Sequence, residues 1–221
     1  MYMVFNMANM MMIYGNPDLK SETSHNFSVS AEYTKNRYNF SVTGYYNLVH
    51  NRINTVYSED PKGQIYTNTD KVDIAGVDAN ISAKYPCGLG FRMSYTYIHE
   101  FMRDGQKKFT DTRPHTATVR VDWGENLDKV DFNYSLNGRI LSEVKTNVYN
   151  DSFNNPAAGS TAVTYPGYMI WDLTFSVGVF KGVNMNLAIN NLFNYVPDYY
   201  YFNSPTTTGA NLTLGLSLDI D

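Results

Sequence analysis

Apolar and polar residues alternate along most of this chain, in segments of about ten residues that turns or loops separate. The last segment shows the pattern plainly, because every second residue from Leu212 to Ile220 is aliphatic and the residues between them are polar or glycine. Successive side chains of a β-strand point to opposite faces of the sheet. Each segment is therefore predicted to be a strand with one apolar face and one polar face, and no helical period competes with it.

The pattern predicts nine strands. Their approximate bounds are residues 23–34, 37–56, 77–85 (the end of the third strand), 89–97, 117–123, 130–136, 171–179, 183–189 and 211–220. Tight turns are expected at Lys35-Asn36, Pro86-Cys87-Gly88 and Lys181-Gly182, because proline presets φ and glycine accepts a positive φ. The chain is therefore expected to form an antiparallel, up-and-down, all-β sheet.

The connections between these strands alternate in length. Those after strands one, three, five and seven have roughly two to five residues, whereas the others have roughly ten to twenty and include the stretches 58–64, 103–112, 144–165 and 195–205. Outer-membrane barrels combine short periplasmic turns with long extracellular loops. The alternation therefore predicts a transmembrane β-barrel segment with Lys35, Cys87, Asn126 and Lys181 on the periplasmic side.

Composition agrees with such a segment and excludes several other classes. No run approaches the ~20 apolar residues of a membrane-spanning helix. The net charge of −4 and the absence of a basic block argue against nucleic acid as a partner. The single cysteine, Cys87, cannot form an intramolecular disulfide. Trp123 and Tyr85 stand beside short turns, where an aromatic girdle of a barrel is expected.

Four short motifs occur in order along the chain. They are Asn16-Pro17-Asp18-Leu19-Lys20-Ser21-Glu22, Gly76-Val77-Asp78, Arg113-Pro114-His115 and Asn191-Leu192-Phe193. Together they resemble motifs of TonB-dependent outer-membrane receptors, the third being similar to one in the vitamin B12, colicin and haem receptor branch. Ser21 replaces a proline of the family pattern, Asp78 replaces a glutamate, and Ile220-Asp221 replaces the usual terminal aromatic residue.

The resemblance implies a 22-stranded barrel that an N-terminal plug domain closes. The nine predicted strands would be its last nine, so residues 1–22 are expected to be an extracellular loop remnant and 23–221 the C-terminal part of the barrel, without the plug. The implied activity is TonB-dependent uptake of a ferric siderophore, haem or cobalamin through the outer membrane of a Gram-negative bacterium. The implied partners are outer-membrane lipid, the plug and earlier strands, TonB through the plug, and the imported ligand.

Two alternatives stay open on the sequence alone. A free-standing small outer-membrane barrel would show the same alternation, although complete bacterial barrels use even strand numbers. A soluble β-sandwich binding module is possible if the apolar faces pack against each other. An enzyme is not expected, because no Gly-x-Ser-x-Gly motif or clustered Ser/His/Asp arrangement occurs, so no catalytic residue is assigned.

Candidate ligand-binding residues lie at the predicted extracellular ends of strands. His99 and Glu100 end the fourth strand, and the aromatic loop after the eighth strand could stack on a planar ligand or a sugar through Tyr195, Tyr199, Tyr200 and Tyr201. The four histidines have no metal-ligand spacing, so neither a metal site nor a cofactor is predicted. Asp131, Asp172, Arg120 and Arg139 are expected to face the lumen.

Overall fold

The computed structural model describes residues 3–6, 11–101, 112–127, 130–150, 159–180, 182–198, 207 and 209–218. In this part of the chain the regular elements are thirteen strands, and no helix is long and apolar enough to span a membrane. The strands are β1 (Met3–Asn6), β2 (Met11–Tyr14), β3 (Thr23–Lys35), β4 (Tyr38–Glu59), β5 (Lys62–Lys84), β6 (Leu89–Phe101), β7 (His115–Leu127), β8 (Val130–Leu141), β9 (Val144–Tyr149), β10 (Ser160–Tyr165), β11 (Tyr168–Phe180), β12 (Val183–Asn190) and β13 (Asn211–Leu218).

All nine predicted strands are confirmed, as β3 to β8 and β11 to β13. Each pairs antiparallel with the next along the chain, so β8 pairs with β11 across the inserted β9 and β10. β3 and β13 are the outermost of the nine. The sheet is therefore an up-and-down meander whose order the alternating sequence predicted.

The four connections predicted to be short are short. Asn36 adopts a positive φ of 53° in the turn between β3 and β4, and Gly88 has a φ of 82° in the turn after β5. A Cβ atom on Gly88 would lie 1.8 Å from the backbone oxygen of Gly124, so this close approach requires glycine. Asn126 lies within β7 rather than in a turn, and Lys181 is outside the described residues. These connections define the short-turn end of the sheet.

The connection after the second predicted strand is not the long loop that the sequence predicted. β4 and β5 continue to Glu59 and from Lys62, so only Asp60 and Pro61 join two strands of 22 and 23 residues. Thr55 pairs with Tyr66, and Val56 pairs with Ile65. β-Branched and aromatic residues of this kind stabilise cross-strand pairs. The polar stretch 58–64 is therefore the tip of an extended hairpin, not an open loop.

Two other segments predicted as loops contain strands. Within 144–165, β9 and β10 pair antiparallel from Val144 with Tyr165 to Tyr149 with Ser160. Within 1–22, β1 pairs antiparallel with β2, and β2 pairs parallel with β5 through Ile13 and Gln64. Both additions lie at the end opposite the short turns, which is the long-loop end of the sheet.

The apolar face of the sheet is bare. Val29 and Leu214 are 79% and 69% exposed, whereas the buried hydrophobic residues of the described chain are Val49, Val72, Ala83, Val144 and Tyr168. The chain exposes 14948 Å², against about 10,000 Å² for a compact soluble monomer of this mass. The apolar faces of the strands do not pack against each other, so the soluble sandwich alternative is wrong.

Candidate functional site

Three connections meet at the long-loop end around Arg113. Its Nη1 atom donates hydrogen bonds to the backbone oxygen of Ser142 and, at 2.7 Å, to that of Pro166. Its guanidinium lies 4.8 Å from the ring centroid of Tyr168, which stacks on Tyr195 with centroids 5.1 Å apart and ring planes 6° apart. One arginine thus joins the segment before β7, the connection around β9 and β10, and the loop after β12.

Asn191 organises the loop after β12. It is 3% exposed and has a positive φ of 53°. Its Nδ2 atom donates to the backbone oxygen of Tyr195 at 2.7 Å and to Thr207 Oγ1 at 3.0 Å, and its Oδ1 atom accepts the backbone N–H of Tyr195 at 2.8 Å. The backbone N–H of Asn191 donates to Asp172 Oδ1 at 2.8 Å. The Asn-Leu-Phe motif therefore anchors the base of the aromatic loop to β11.

The segment from Asn16 to Glu22 fastens to the extended hairpin of β4 and β5. Asn68 Oδ1 accepts the backbone N–H of Lys20 at 2.8 Å, and its Nδ2 atom donates to the backbone oxygens of Lys20 at 2.9 Å and Asn51 at 2.7 Å. Glu22 Oε2 accepts the backbone N–H of Ile53 at 2.9 Å. Because β3 pairs with β4 only as far as His50, Glu22 bonds the N–H of a residue just beyond that pairing.

The structure separates the predicted pair His99 and Glu100. They are consecutive in β6, so their side chains point to opposite faces. His99 lies on the apolar face, stacked on Tyr97 at 6.4 Å and edge-on to Phe101 at 4.8 Å. Glu100 lies on the polar face and is 8% exposed. The geometry supports no joint ligand site for the two residues, and a separate role for each stays a prediction.

The aromatic loop is described only in part. Tyr195 is partly buried in the stack on Tyr168. Tyr199, Tyr200 and Tyr201 lie outside the described residues, so their predicted contact with ligand stays a prediction. Three strands, β7, β8 and β11, lie between β6 and β12 in the sheet, so His99 and Tyr195 belong to different parts of the long-loop end.

Histidines meet across strands in a way that sequence spacing did not predict. The rings of His25 and His50 are 6.3 Å apart on β3 and β4, and His115 lies 4.8 Å from Tyr97 while its Nδ1 atom shares a 2.7 Å hydrogen bond with the Tyr95 hydroxyl. The register between neighbouring strands brings these residues together. The spacing of the histidines along the sequence does not give that register, so it did not predict these contacts. Among the described residues no group of three or more His, Cys, Asp or Glu side chains could hold a metal ion.

Aromatic side chains also cluster at the short-turn end, as the girdle prediction required. Trp123 Nε1 donates to the backbone oxygen of Cys87 at 3.1 Å. The Tyr38 and Tyr85 hydroxyls share a 3.4 Å hydrogen bond, which raises the pKa of Tyr85. The Arg37 guanidinium lies 5.3 Å from the Tyr85 ring centroid. Tyr85 therefore follows the end of β5 as predicted, whereas Trp123 lies inside β7, which continues to Leu127, and contacts the short turn between β5 and β6 through Cys87.

Comparisons with known proteins agree with this architecture. The family model described as TonB dependent receptor-like, beta-barrel, matches residues 1–192. The iron-regulated outer membrane virulence protein of Vibrio cholerae serotype O1 is 23% identical over 225 residues, which cover 93% of this chain and 32% of that protein.

Solved structures show the same fold. The siderophore receptor PirA from Acinetobacter baumannii has a TM-score of 0.68 at 16% identity, over 94% of this chain and 33% of that one. The FrpB iron transporter from Neisseria meningitidis has a TM-score of 0.70 at 14% identity, over 94% and 33%. The chain thus spans about a third of the length of these relatives. The match of the family model to residues 1–192, on a meander with one bare apolar face, shows that this chain belongs to the TonB-dependent receptor family and forms part of its β-barrel.

Proposed function

We propose that the protein containing this chain is an outer-membrane receptor that imports a scarce nutrient, foremost a ferric siderophore, with energy delivered through TonB. The observation that carries the proposal is the family match over residues 1–192. The chain supplies barrel wall, the polar face of the lumen and loops on the cell surface. The remaining strands, the plug and its TonB contact come from the rest of the receptor.

The two faces of the sheet support a place in the outer membrane. The bare apolar face, with Phe27, Val29 and Leu214 more than 60% exposed, needs lipid hydrocarbon to cover it. The opposite face carries polar side chains and faces the lumen. The short turns then lie on the periplasmic side, and the extended hairpin and the Arg113 cluster lie outside the cell.

Iron complexes are the favoured ligand class because the names of the relatives refer to iron or to siderophores. The curated relative is iron-regulated, and the two solved neighbours are a siderophore receptor and an iron transporter. Haem and cobalamin, which the sequence resemblance also implied, belong to the same uptake class and are alternatives within the same assay. Binding by Glu100, His99 or the tyrosines of the aromatic loop is part of this proposal.

Uptake by a strain lacking the whole receptor gene tests the proposed function. The expected result is loss of ⁵⁵Fe accumulation from one or more ferric siderophores, restored by the intact gene and abolished again when TonB is deleted. Labelled haem and cobalamin are assayed in parallel. Unchanged accumulation of all these ligands in the deletion strain would contradict the proposal.

A further inference from the structure

The hairpin of β9 and β10 joins the sheet through a narrow neck, formed by residues 141–143 and 166–168. Among the described strands, β9 and β10 pair only with each other, so this neck is their attachment to the sheet. A Cβ atom on Gly167 would lie 2.8 Å from the backbone oxygen of Leu141 and 3.2 Å from the backbone nitrogen of Glu143, so the two sides of the neck touch through their backbones. The position of the hairpin therefore depends on a few residues at its base.

Arg113 holds the two sides of this neck together. Its Nη1 atom donates to the backbone oxygen of Ser142 on one side and, at 2.7 Å, to that of Pro166 on the other. His115 also holds Ser142, because its backbone oxygen accepts the N–H of Ser142 at 2.9 Å and its N–H donates to Ser142 Oγ at 3.1 Å. Hydrogen bonds from a charged donor are about twice as strong as neutral ones. Arg113 therefore closes the neck from the segment before β7.

The ring of Tyr168 links the neck to the aromatic loop. Tyr168 begins β11 and is 8% exposed. The Arg113 guanidinium lies 4.8 Å from its ring centroid, and the ring of Tyr195 stacks on it with centroids 5.1 Å apart. A cation is attracted to the negative face of an aromatic ring, and nearly parallel rings at this distance attract each other as well. A continuous set of contacts therefore runs from the neck to Tyr195.

Tyr195 lies where the aromatic loop leaves the sheet. Asn191 bonds both backbone groups of Tyr195 and also bonds Thr207 Oγ1, so both sides of the loop meet on one side chain. On β11, Asp172 accepts the N–H of Asn191. A displacement of Tyr195 is therefore a displacement of the base of the loop that carries the tyrosines predicted to contact ligand.

We propose that Arg113 is a positioning residue of the ligand-binding loops, because it gives the β9–β10 hairpin and the aromatic loop one common base through the neck and the Tyr168 ring. Two loops on a common base meet a ligand in a fixed relation to each other, so less conformational freedom is lost when the ligand binds. The common base follows from the contacts of the described residues alone. Its consequence for the ligand rests on the proposed uptake function and has its own measurement.

Amide hydrogen exchange on the purified full-length receptor in detergent tests the common base. The probes are the N–H of Ser142 in the neck and the N–H of Tyr195 in the aromatic loop. Arg113→Gln is expected to accelerate exchange at both by about tenfold, because the neck loses its charged donor and the Tyr168 ring loses its cation. Tyr168→Leu removes only the ring, so exchange at Tyr195 should accelerate while exchange at Ser142 stays within about twofold of the unmodified receptor.

Two further variants separate positioning from a general loss of stability. Arg113→Lys keeps a charged donor without the guanidinium plane, so both rates should fall between those of the unmodified receptor and Arg113→Gln. Arg37→Gln is the matched control, because Arg37 lies 5.3 Å from the ring centroid of Tyr85 at the short-turn end, and its loss removes the same charge and the same kind of ring contact. Acceleration at Ser142 alone in Arg113→Gln, unchanged rates at both amides, or equal acceleration in Arg37→Gln would overturn the common base. If Arg113→Gln does not assemble, Arg113→Lys and Tyr168→Leu decide by the same criteria.

Uptake kinetics test the consequence for the ligand. The strain lacking the receptor gene carries each variant gene, and the probes are the ⁵⁵Fe complexes of enterobactin, a catecholate, and ferrioxamine B, a hydroxamate. Arg113→Gln is expected to raise the half-saturating concentration at least about fivefold and to leave the maximal rate within about twofold, as for a loss of binding alone. A lower maximal rate at an unchanged half-saturating concentration would overturn the role in ligand binding. If the unmodified receptor imports neither complex, the proposed function fails for both siderophore classes and the ligand-binding role fails with it, whereas the exchange rates still decide the common base.

Discussion

At the scale of single residues, asparagine side chains replace backbone partners where strands of the sheet end. The side chain of Asn191 replaces both backbone partners of Tyr195: it accepts the N–H of Tyr195 and donates to the backbone oxygen of Tyr195. Asn194 Oδ1 accepts the backbone N–H of Ala210 at 2.8 Å on the other side of the same loop. Because asparagine tolerates a positive φ and carries both a donor and an acceptor, it fits these positions better than glycine or alanine.

Asn191→Ala is expected to loosen the loop after β12. The change leaves the partly buried N–H and C=O of Tyr195 without their partner, at a cost of about 1–3 kcal/mol. Amide hydrogen exchange at Tyr195, measured on the full-length receptor in detergent, should accelerate by about tenfold or more. The control is Asn190→Ala, since Asn190 is exposed and donates to Asn211 Oδ1. Equal exchange rates in the two variants would count against an anchoring role for Asn191.

The sequence predicted single residues best where face and strand end decide their place. Trp123 and Tyr85 stand beside short turns as expected, and Arg120 and Arg139 lie on the polar face. Strand alternation places the consecutive side chains of His99 and Glu100 on opposite faces, so ligand binding by either residue stays a separate prediction. The bonds of Asn68 and Asn191 could not be predicted, because they depend on loop paths that local pattern does not encode.

At the scale of elements, the extended hairpin of β4 and β5 is the main departure from the predicted structure. The alternation of apolar and polar residues predicted where the strands lie but not how long they are. Where a strand extends beyond the apolar environment, its residues no longer alternate in this way, although its pairing with the neighbouring strand continues. The segment from Asn16 to Glu22 lies along this hairpin, and β2 extends the contact through Ile13 and Gln64. The motif from Asn16 to Glu22, one of those that resemble the family, thus attaches the N-terminal segment to the hairpin through hydrogen bonds.

Asn68→Ala is expected to release that fastening. Asn68 holds both the N–H and the backbone oxygen of Lys20, so its loss frees the Lys20–Ser21 peptide bond for proteolysis. Trypsin cleavage after Lys20 in the assembled receptor should become about tenfold faster. Asn54→Ala serves as the comparison, because Asn54 bonds only the N–H of its neighbour Thr55 among the described residues. If both variants are cleaved at the rate of the unmodified receptor, Asn68 does not hold the segment.

At the scale of the whole molecule, the sheet is organised by two unlike environments rather than by a core. The described strands bury few apolar side chains and leave one continuous apolar face, so stability requires lipid on that face and the rest of the barrel at both edges. The sequence predicted this arrangement correctly because a period of two encodes the two faces directly. It did not predict which residues of neighbouring strands lie opposite each other, because register between strands depends on turn geometry as well as pattern.

A pair of substitutions in β13 tests which face meets lipid. Leu214 is 69% exposed on the apolar face near the middle of the strand, and its neighbour Thr213 is exposed on the polar face. Leu214→Arg places a charge in hydrocarbon and is expected to destabilise the assembled receptor by about 2–4 kcal/mol at the bilayer midplane. Thr213→Arg adds the same side chain to the wet lumen and should cost far less. Urea unfolding of the full-length receptor in lipid vesicles measures both, and equal destabilisation by the two arginines would contradict the assignment of the faces.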